Sequence, residues 1–151
     1  MGLDQSLHIS ASGLTAERLR LDVISNNLAN VNTTHGPDGQ PYRRQEVVFS
    51  TRAGSSPFAS ALQTARGNVQ PGAGGDGVQV AAVRPDMSAY KVVHDPGNPD
   101  SDANGNVKMP NVDPITEMVD MISASRAYEG GVTAINAAKS MEQRALDIGR
   151  A

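Results

Sequence analysis

Apolar residues recur at steps of three and four along the C-terminal part of the chain, as on one face of a helix. Asp113 stands where an N-cap belongs, Pro114 suits the first helical position, and Gly149 marks an end. The pattern predicts one long helix over residues 113–149. Its apolar positions form two stripes, the first of Ile115, Met118, Val119 and Ile122, and the second of Val132, Ile135, Ala138, Met141, Ala145 and Ile148.

A second periodic segment opens the chain, where leucine recurs every seven residues and predicts a helix over residues 1–33. Its predicted seam is continuous only from Leu21 onward. The seam consists of Leu7, Leu14, Leu21, Ile24, Leu28 and Val31. Because long, narrow apolar stripes cannot be buried in a small core, we expect the two helices to pair with each other or with other chains.

Four asparagines crowd the end of the N-terminal helix, although asparagine competes for backbone hydrogen bonds and prefers caps and turns. They are Asn26, Asn27, Asn30 and Asn32. The sequence leaves two interpretations open. Either the helix frays here into a turn, or the side-chain amides pair across a helix–helix or subunit contact.

A pair of glycines, Gly130 and Gly131, lies in the middle of the predicted C-terminal helix. Each disfavours helix by about 1 kcal/mol relative to alanine. The pair is compatible with a kink that separates the two apolar stripes, and equally with the close approach of a neighbouring helix.

The segment between the helices contains three short runs rich in β-forming residues, which predict a small, mostly antiparallel sheet. These runs are residues 42–50, 77–83 and 89–94. Glycine and serine enrich residues 53–76, which predicts a flexible loop. Prolines spaced along residues 95–112 predict an extended return to the C-terminal helix.

The predicted fold class is therefore α+β, with the terminal helices paired as a coiled-coil-like hairpin. The predicted domains are an N-terminal helix over residues 1–35, a β-rich middle domain over 36–112 and a C-terminal helix over 113–151.

Composition narrows the possible functions. Of the 151 residues, 3% are aromatic and none is tryptophan, so large anchors for a core are scarce. A net charge of −3 with mixed signs gives no basic face, which disfavours nucleic acid as a partner. The absence of cysteine excludes disulfides and thiolate zinc sites. The apolar runs are too short to span a bilayer, and the N-terminus lacks the features of a cleavable signal peptide.

Catalytic and metal-binding motifs are weak. Asp100, Asp102, Asn104 and Gly105 match the first half of a calcium loop, but Asn111 stands where the bidentate glutamate belongs, so a solvated turn is favoured. The histidines, His8, His35 and His94, lie in three different predicted elements. No phosphate loop or nucleophile elbow is present. We therefore expect no enzyme activity, no cofactor, no metal and no small-molecule substrate.

Two terminal segments resemble the signatures of one family. The run SNNLANVNT at residues 25–33, and residues 117–141 with EMV, RAYE and INAAKSM, resemble those of the bacterial flagellar axial proteins, the rod and hook subunits. Within that family, residues 36–43, 95–100 and 109–112 resemble a proximal rod subunit. The resemblance covers about residues 1–50 and 90–151.

The resemblance implies a structural subunit of a hollow basal-body rod that transmits torque, assembled through terminal helices around the axis with the β part farther out. It implies other rod subunits and further copies of the chain as partners, and passage through the flagellar type III export apparatus into the cell envelope. The helix stripes and the four asparagines would then form packing interfaces. Another rod subunit and a non-flagellar coiled-coil adapter are the alternatives.

Overall fold

The computed structural model describes residues 3–52, 65 and 77–149. Within these residues, two long helices flank four strands, which confirms the α+β class. The elements are α1 (Leu3–Ala29), β1 (Gln45–Thr51), β2 (Val78–Pro85), β3 (Lys91–His94), β4 (Asn106–Met109) and α2 (Pro114–Ile148). The predicted flexible loop at 53–76 lies outside the described residues, apart from residue 65. No helix in the described ranges combines the length and hydrophobicity needed to cross a membrane.

Helix α2 begins as its sequence predicts. Asp113 is extended, with φ −108° and ψ 110°, and its side chain accepts a hydrogen bond of 3.2 Å from the backbone N–H of Ile115. This carboxylate satisfies one of the free N–H groups at the start of the helix, where the dipole also favours negative charge. Pro114 follows at the first helical position.

The glycine pair does not divide α2, which is one uninterrupted helix through both residues. At Gly131, an added Cβ would lie 2.8 Å from Cδ2 of Leu14, so α1 approaches closely at this point. At Gly130, nothing lies within 4 Å of the corresponding position. The interpretation of close approach therefore holds for Gly131 within the chain.

Helices α1 and α2 pack in antiparallel directions. Asn27 contacts Glu117, Arg20 contacts Asp120, and Leu14 contacts Gly131, so residue numbers rise along one helix as they fall along the other. Beyond Leu14 only a short part of α1 remains, whereas α2 continues from Gly131 to Ile148. The C-terminal end of α2 therefore extends past the start of α1, and all of residues 139–149 are exposed.

The N-terminal helix ends at Ala29, four residues earlier than the predicted end at residue 33. The amide of Asn30 ends it, because its Nδ2 donates to the carbonyl oxygen of Asn26 at 2.9 Å and to Asn26 Oδ1 at 2.7 Å. Thr33 Oγ1 in turn donates to Asn30 Oδ1 at 3.1 Å. Asn26 and Asn30 thus act locally in a turn, as the first interpretation of the asparagine cluster expects.

The four strands form two separate antiparallel pairs. β1 pairs with β2 from Gln45 opposite Pro85 to Thr51 opposite Val78, with an irregularity after Val48. β3 pairs with β4 from Lys91 opposite Met109 to His94 opposite Asn106. The side chain of Ser12 fixes the first pair to α1, because its Oγ accepts the backbone N–H of Val78 at 3.1 Å.

The prediction of one sheet of three strands is wrong, and so is the prediction that residues 95–112 are extended throughout. β2 ends at Pro85, which has no N–H to donate to a further ladder. β3 pairs instead with a fourth strand inside the predicted extended return. Gly105, with φ +74°, makes this return possible, because its carbonyl accepts the backbone N–H of Asp95 at 2.9 Å and closes the turn.

Candidate subunit interface

The first apolar stripe of α2 faces solvent. Ile115 is 69% exposed, Met118 47%, Val119 62% and Ile122 56%. These four residues, called the outer stripe from here on, lie at helical spacing on the side of α2 that α1 does not cover. Large apolar side chains grouped in this way mark a surface that contacts another molecule.

The second apolar stripe is divided between buried and exposed positions. Ala138 is buried and Ile135 half-buried, whereas the others are exposed, namely Val132, Met141, Ala145 and Ile148. Three of its exposed members, Met141, Ala145 and Ile148, lie in the part of α2 that extends past α1.

The face of α2 that α1 covers consists mainly of small and polar residues. Its fully or nearly buried positions are Glu117, Ala124 and Ala138. On α1 the buried positions are Ala16, Val23, Ile24 and Asn27. The predicted leucine seam lies beside this face, because Leu7, Leu14, Leu21, Leu28 and Val31 are half-buried and Ile24 is buried. Sequence reasoning missed Ala16, since alanine carries little weight in a hydrophobic pattern, and Val23, since it lies outside the seven-residue leucine repeat.

Asn27 lies at the end of the helix contact where α1 ends and α2 begins, and it is 1% exposed. Its Nδ2 donates to Glu117 Oε2 at 3.1 Å and to the carbonyl of Gln45 at 2.8 Å. Its Oδ1 accepts the hydroxyl of Tyr42 and the backbone N–H of Gln45, both at 2.9 Å. The amide therefore uses both donors and both lone pairs. For this asparagine the second interpretation holds, because the amide bridges two helices; Asn32 is exposed.

Glu117 is 0% exposed and is balanced by a cation from outside the helix pair. Its Oε1 lies 2.6 Å from Nε of Arg44, and Nη2 of Arg44 lies 3.6 Å from Oδ2 of Asp120. Asp120 Oδ1 also lies 3.5 Å from Nη2 of Arg20. We call Arg20, Asn27, Arg44, Glu117 and Asp120 the polar junction. It joins α1, α2 and the segment that enters β1.

Burial and the charge of Glu117 shift the pKa values of Arg44 and Tyr42. Desolvation alone would lower the pKa of Arg44, but the hydrogen bond and negative charge of Glu117 outweigh it, and the pKa is raised. Burial, followed by the charge of Glu117, raises the pKa of Tyr42. Both shifts favour the states that the hydrogen bonds require, a charged guanidinium and a neutral phenol.

Asn111 connects the polar junction to the two strand pairs. Its Oδ1 accepts the backbone N–H of Arg44 at 2.8 Å, and its Nδ2 donates to the carbonyl of Asp86 at 3.0 Å. The neighbouring Arg43 donates to the same carbonyl at 3.1 Å, and its guanidinium lies 4.3 Å from the ring centre of Tyr90. These contacts hold the segment between β2 and β3 against the residues that lead from α1 into β1.

Residues from four of the five segments that carry the family resemblance meet around the polar junction. Asn27 belongs to the N-terminal signature, Glu117 to the C-terminal one, and Arg43 and Asn111 to two of the middle segments. Sequence reasoning selected Asn27 as a packing residue, but it treated Glu117 only as part of the C-terminal signature, and it missed Arg44. The available signal was a carboxylate in the C-terminal signature and an arginine, Arg44, directly after the segment 36–43.

The carboxylates of the acidic turn between β3 and β4 accept hydrogen bonds from the chain itself. Asp102 Oδ1 accepts the backbone N–H groups of Asn104 at 2.8 Å and Asn106 at 2.9 Å. These bonds, that of Asn106 first, lower the pKa of Asp102. Asp100 Oδ2 accepts the hydroxyl of Thr34 at 2.6 Å. In the described part of the chain no group of three or more histidine, aspartate or glutamate side chains is placed to hold a metal ion.

Comparison with known proteins gives consistent matches at both ends and over the whole length. The family model described as "Flagella basal body rod protein" matches residues 7–37. The model described as "Flagellar basal body rod FlgEFG protein C-terminal" matches residues 103–148.

Full-length relatives share the same description, "Flagellar basal-body rod protein FlgC". The protein of Borreliella burgdorferi is 47% identical and the match covers 98% of each chain. That of Bacillus subtilis is 46% identical, over 96% of this chain and 97% of the relative. That of Escherichia coli O6:H1 is 43% identical, over 99% of this chain and all of the relative.

Proposed function

This chain belongs to the FlgC family of flagellar basal-body rod proteins, and we propose that the outer stripe of α2 is a surface through which it joins its neighbours in the rod. It is a structural subunit of the basal-body rod and not an enzyme, in keeping with relatives that are rod proteins. Family membership removes the alternative of a non-flagellar adapter. Similarity to FlgC over nearly the full length favours this subunit over other rod subunits.

The exposure of the outer stripe is the observation that carries the proposal. Four large apolar side chains, each about half or more exposed, stand side by side on two turns of α2. Burying apolar surface contributes about 25 cal/mol per Å², so covering these side chains with a neighbouring helix favours association. The packing of α1 on the opposite face leaves the outer stripe free to make this contact.

The helix pair and its exposed stripes also support a wider arrangement. We propose that α1 and α2 pair in a coiled-coil-like manner and pack with other rod subunits and copies of the chain around the axis of a hollow, torque-transmitting rod. The middle domain, residues 36–112, would lie farther from the axis. Half-buried leucines of α1 and the exposed members of the second stripe would contribute to the same packing.

We place the subunit in the proximal part of the rod, within the cell envelope. Delivery there would use the flagellar type III export apparatus as a partner, without a cleavable signal peptide. Nucleic acid and small-molecule substrates have no part in this proposal, since an assembling helix surface requires neither.

The test is complementation of a strain that lacks the gene. Val119→Asp places a charge in the outer stripe and is expected to stop basal bodies before the distal rod and abolish swimming. Met87→Asp is the matched control, because Met87 is 76% exposed but lies outside α2. Both purified variants should unfold like the parent, since the changed side chains are exposed. Normal rods with Val119→Asp would contradict the proposed interface.

A further inference from the structure

On the face of α2 that packs against α1, equivalent positions recur every seven residues. Glu117, Ala124, Gly131 and Ala138 occupy equivalent positions along it. Ala124 is 0% exposed and Ala138 7%, and Gly131 lies against the side chain of Leu14. Three of the four members are therefore small residues at the same interval, and Glu117 is the exception.

Small residues at a regular interval permit more than one alignment of two helices. If α2 moved along α1 by seven residues, or about 10 Å, Gly131 would take the place of Ala124, and Ala138 would take the place of Gly131. The apolar part of this contact therefore discriminates weakly between the two alignments.

Glu117 distinguishes the two alignments, because its partners lie at one place only. In the shifted alignment Ala124 would face Asn27, and the carboxylate of Glu117 would move about 10 Å away from Asn27 and Arg44. The guanidinium of Arg44 would lose the carboxylate that it contacts, and the buried amide of Asn27 would lose an acceptor, both at a cost in free energy. The observed alignment pairs Glu117 with both groups, and the shifted one does not.

We infer that the polar junction sets the register of α2 on α1, and that this role, more than stability, is the reason for placing charges in the contact. Buried ion pairs are weak sources of net stability, because desolvation offsets their attraction, whereas fixing helix register is their best-attested use. The inference deepens the proposed rod function, on which it rests, since a change of register would move the outer stripe along the subunit and misplace its contacts with neighbours.

The test measures register directly in the purified chain. The sequence contains no cysteine, so Ser25→Cys and Ala137→Cys, at two exposed positions on α1 and α2, accept spin labels without interference. Pulsed electron resonance then reports the distance between the labels. The parent should give one narrow distance. Arg44→Met combined with Glu117→Leu removes both charges together and should add a second population displaced by about 10 Å.

A conservative variant separates register from stability. Glu117→Gln keeps an oxygen near Asn27 and should keep the single distance. The combined Arg44→Met and Glu117→Leu variant should unfold at the same or a higher denaturant concentration than the parent. A single unchanged distance in the combined variant would overturn the inference. Loss of its helical circular dichroism would also overturn it, because the polar junction would then act mainly in stability.

The register measurement and the complementation test can fail separately. Two distances in the combined variant, together with normal rods from Val119→Asp, would support the register role and contradict the proposed interface. One distance in the combined variant, together with arrested rods from Val119→Asp, would support the interface and contradict the register role.

Discussion

Asn27 and Glu117 are separated by 90 residues in the sequence and joined by a hydrogen bond of 3.1 Å in the fold. The bond joins the two terminal helices, and both residues are buried there. Asn27 also donates to the backbone carbonyl of Gln45 and accepts its N–H, so the same amide fixes the start of β1. The side chain of Asn27 thus connects α1, α2 and β1.

Two arginines of the polar junction should differ sharply in their contribution to stability. Arg44→Ala is expected to lower the free energy of unfolding by about 3 kcal/mol, because it leaves the fully buried carboxylate of Glu117 without its cation. Arg20→Ala should cost less than about 1 kcal/mol, since its partner Asp120 is one-third exposed. Urea denaturation of the purified variants measures both values, and equal costs would contradict this assignment.

The two glycines of α2 should respond in opposite directions to substitution by alanine. Gly130→Ala is expected to raise the free energy of unfolding by up to about 1 kcal/mol, because the site is open and alanine favours helix. Gly131→Ala should give no gain or a loss, because Leu14 must move aside. Thermal unfolding of both variants checks the difference. Adding Leu14→Ala should reduce the effect of Gly131→Ala, and independence of the two changes would disprove the close contact.

Gly77 should be far less tolerant of substitution than Gly97. Gly77 has φ +107° and an added Cβ would collide with Ser12, so Gly77→Ala is expected to cost about 2 kcal/mol or more. It would also disturb the hydrogen bond from Val78 to Ser12 that attaches β2 to α1. At Gly97 the nearest atom would be 3.6 Å away, and Gly97→Ala should be nearly neutral. Denaturation midpoints of the two variants compare them, and similar midpoints would refute the prediction.

The turn between β3 and β4 should loosen in acid. The backbone N–H groups of Asn106 and Asn104 lower the pKa of Asp102 in the folded state, so their stabilisation is present above its unfolded pKa of about 3.9. It is lost as the pH falls through the lower folded pKa. The amide resonances of Asn104 and Asn106 should therefore shift together below about pH 4. In Asp102→Asn this common titration should disappear; its persistence would assign it to another group.

The helices could be predicted from sequence because their signals are local. Asp113 and Pro114 mark the start of α2, and the spacing of its apolar residues gives its length. The pairing of the strands could not be predicted in the same way. Residues 106–109 alternate over too short a run to identify β4, and its partner is fixed by a turn that depends on Gly105 and Asp102.

The interface required information that periodicity does not contain. The outer stripe is strongly periodic, yet it lies away from α1, whereas the face that α1 covers contains Glu117 and Ala124. A hydrophobic pattern identifies the outer stripe and passes over the small, polar contact. Only the positions of Arg44 and Asn27 explain how a carboxylate is accommodated there.

The extension of α2 past α1 affects how the end of the helix melts. Starting a helix is the costly step, whereas adding one residue to an existing helix costs little. The paired part up to Ala138 supplies that starting segment, so residues 139–148 can form or unwind one turn at a time without disturbing the rest. Amide exchange should accordingly quicken steadily from Ala138 to Ile148.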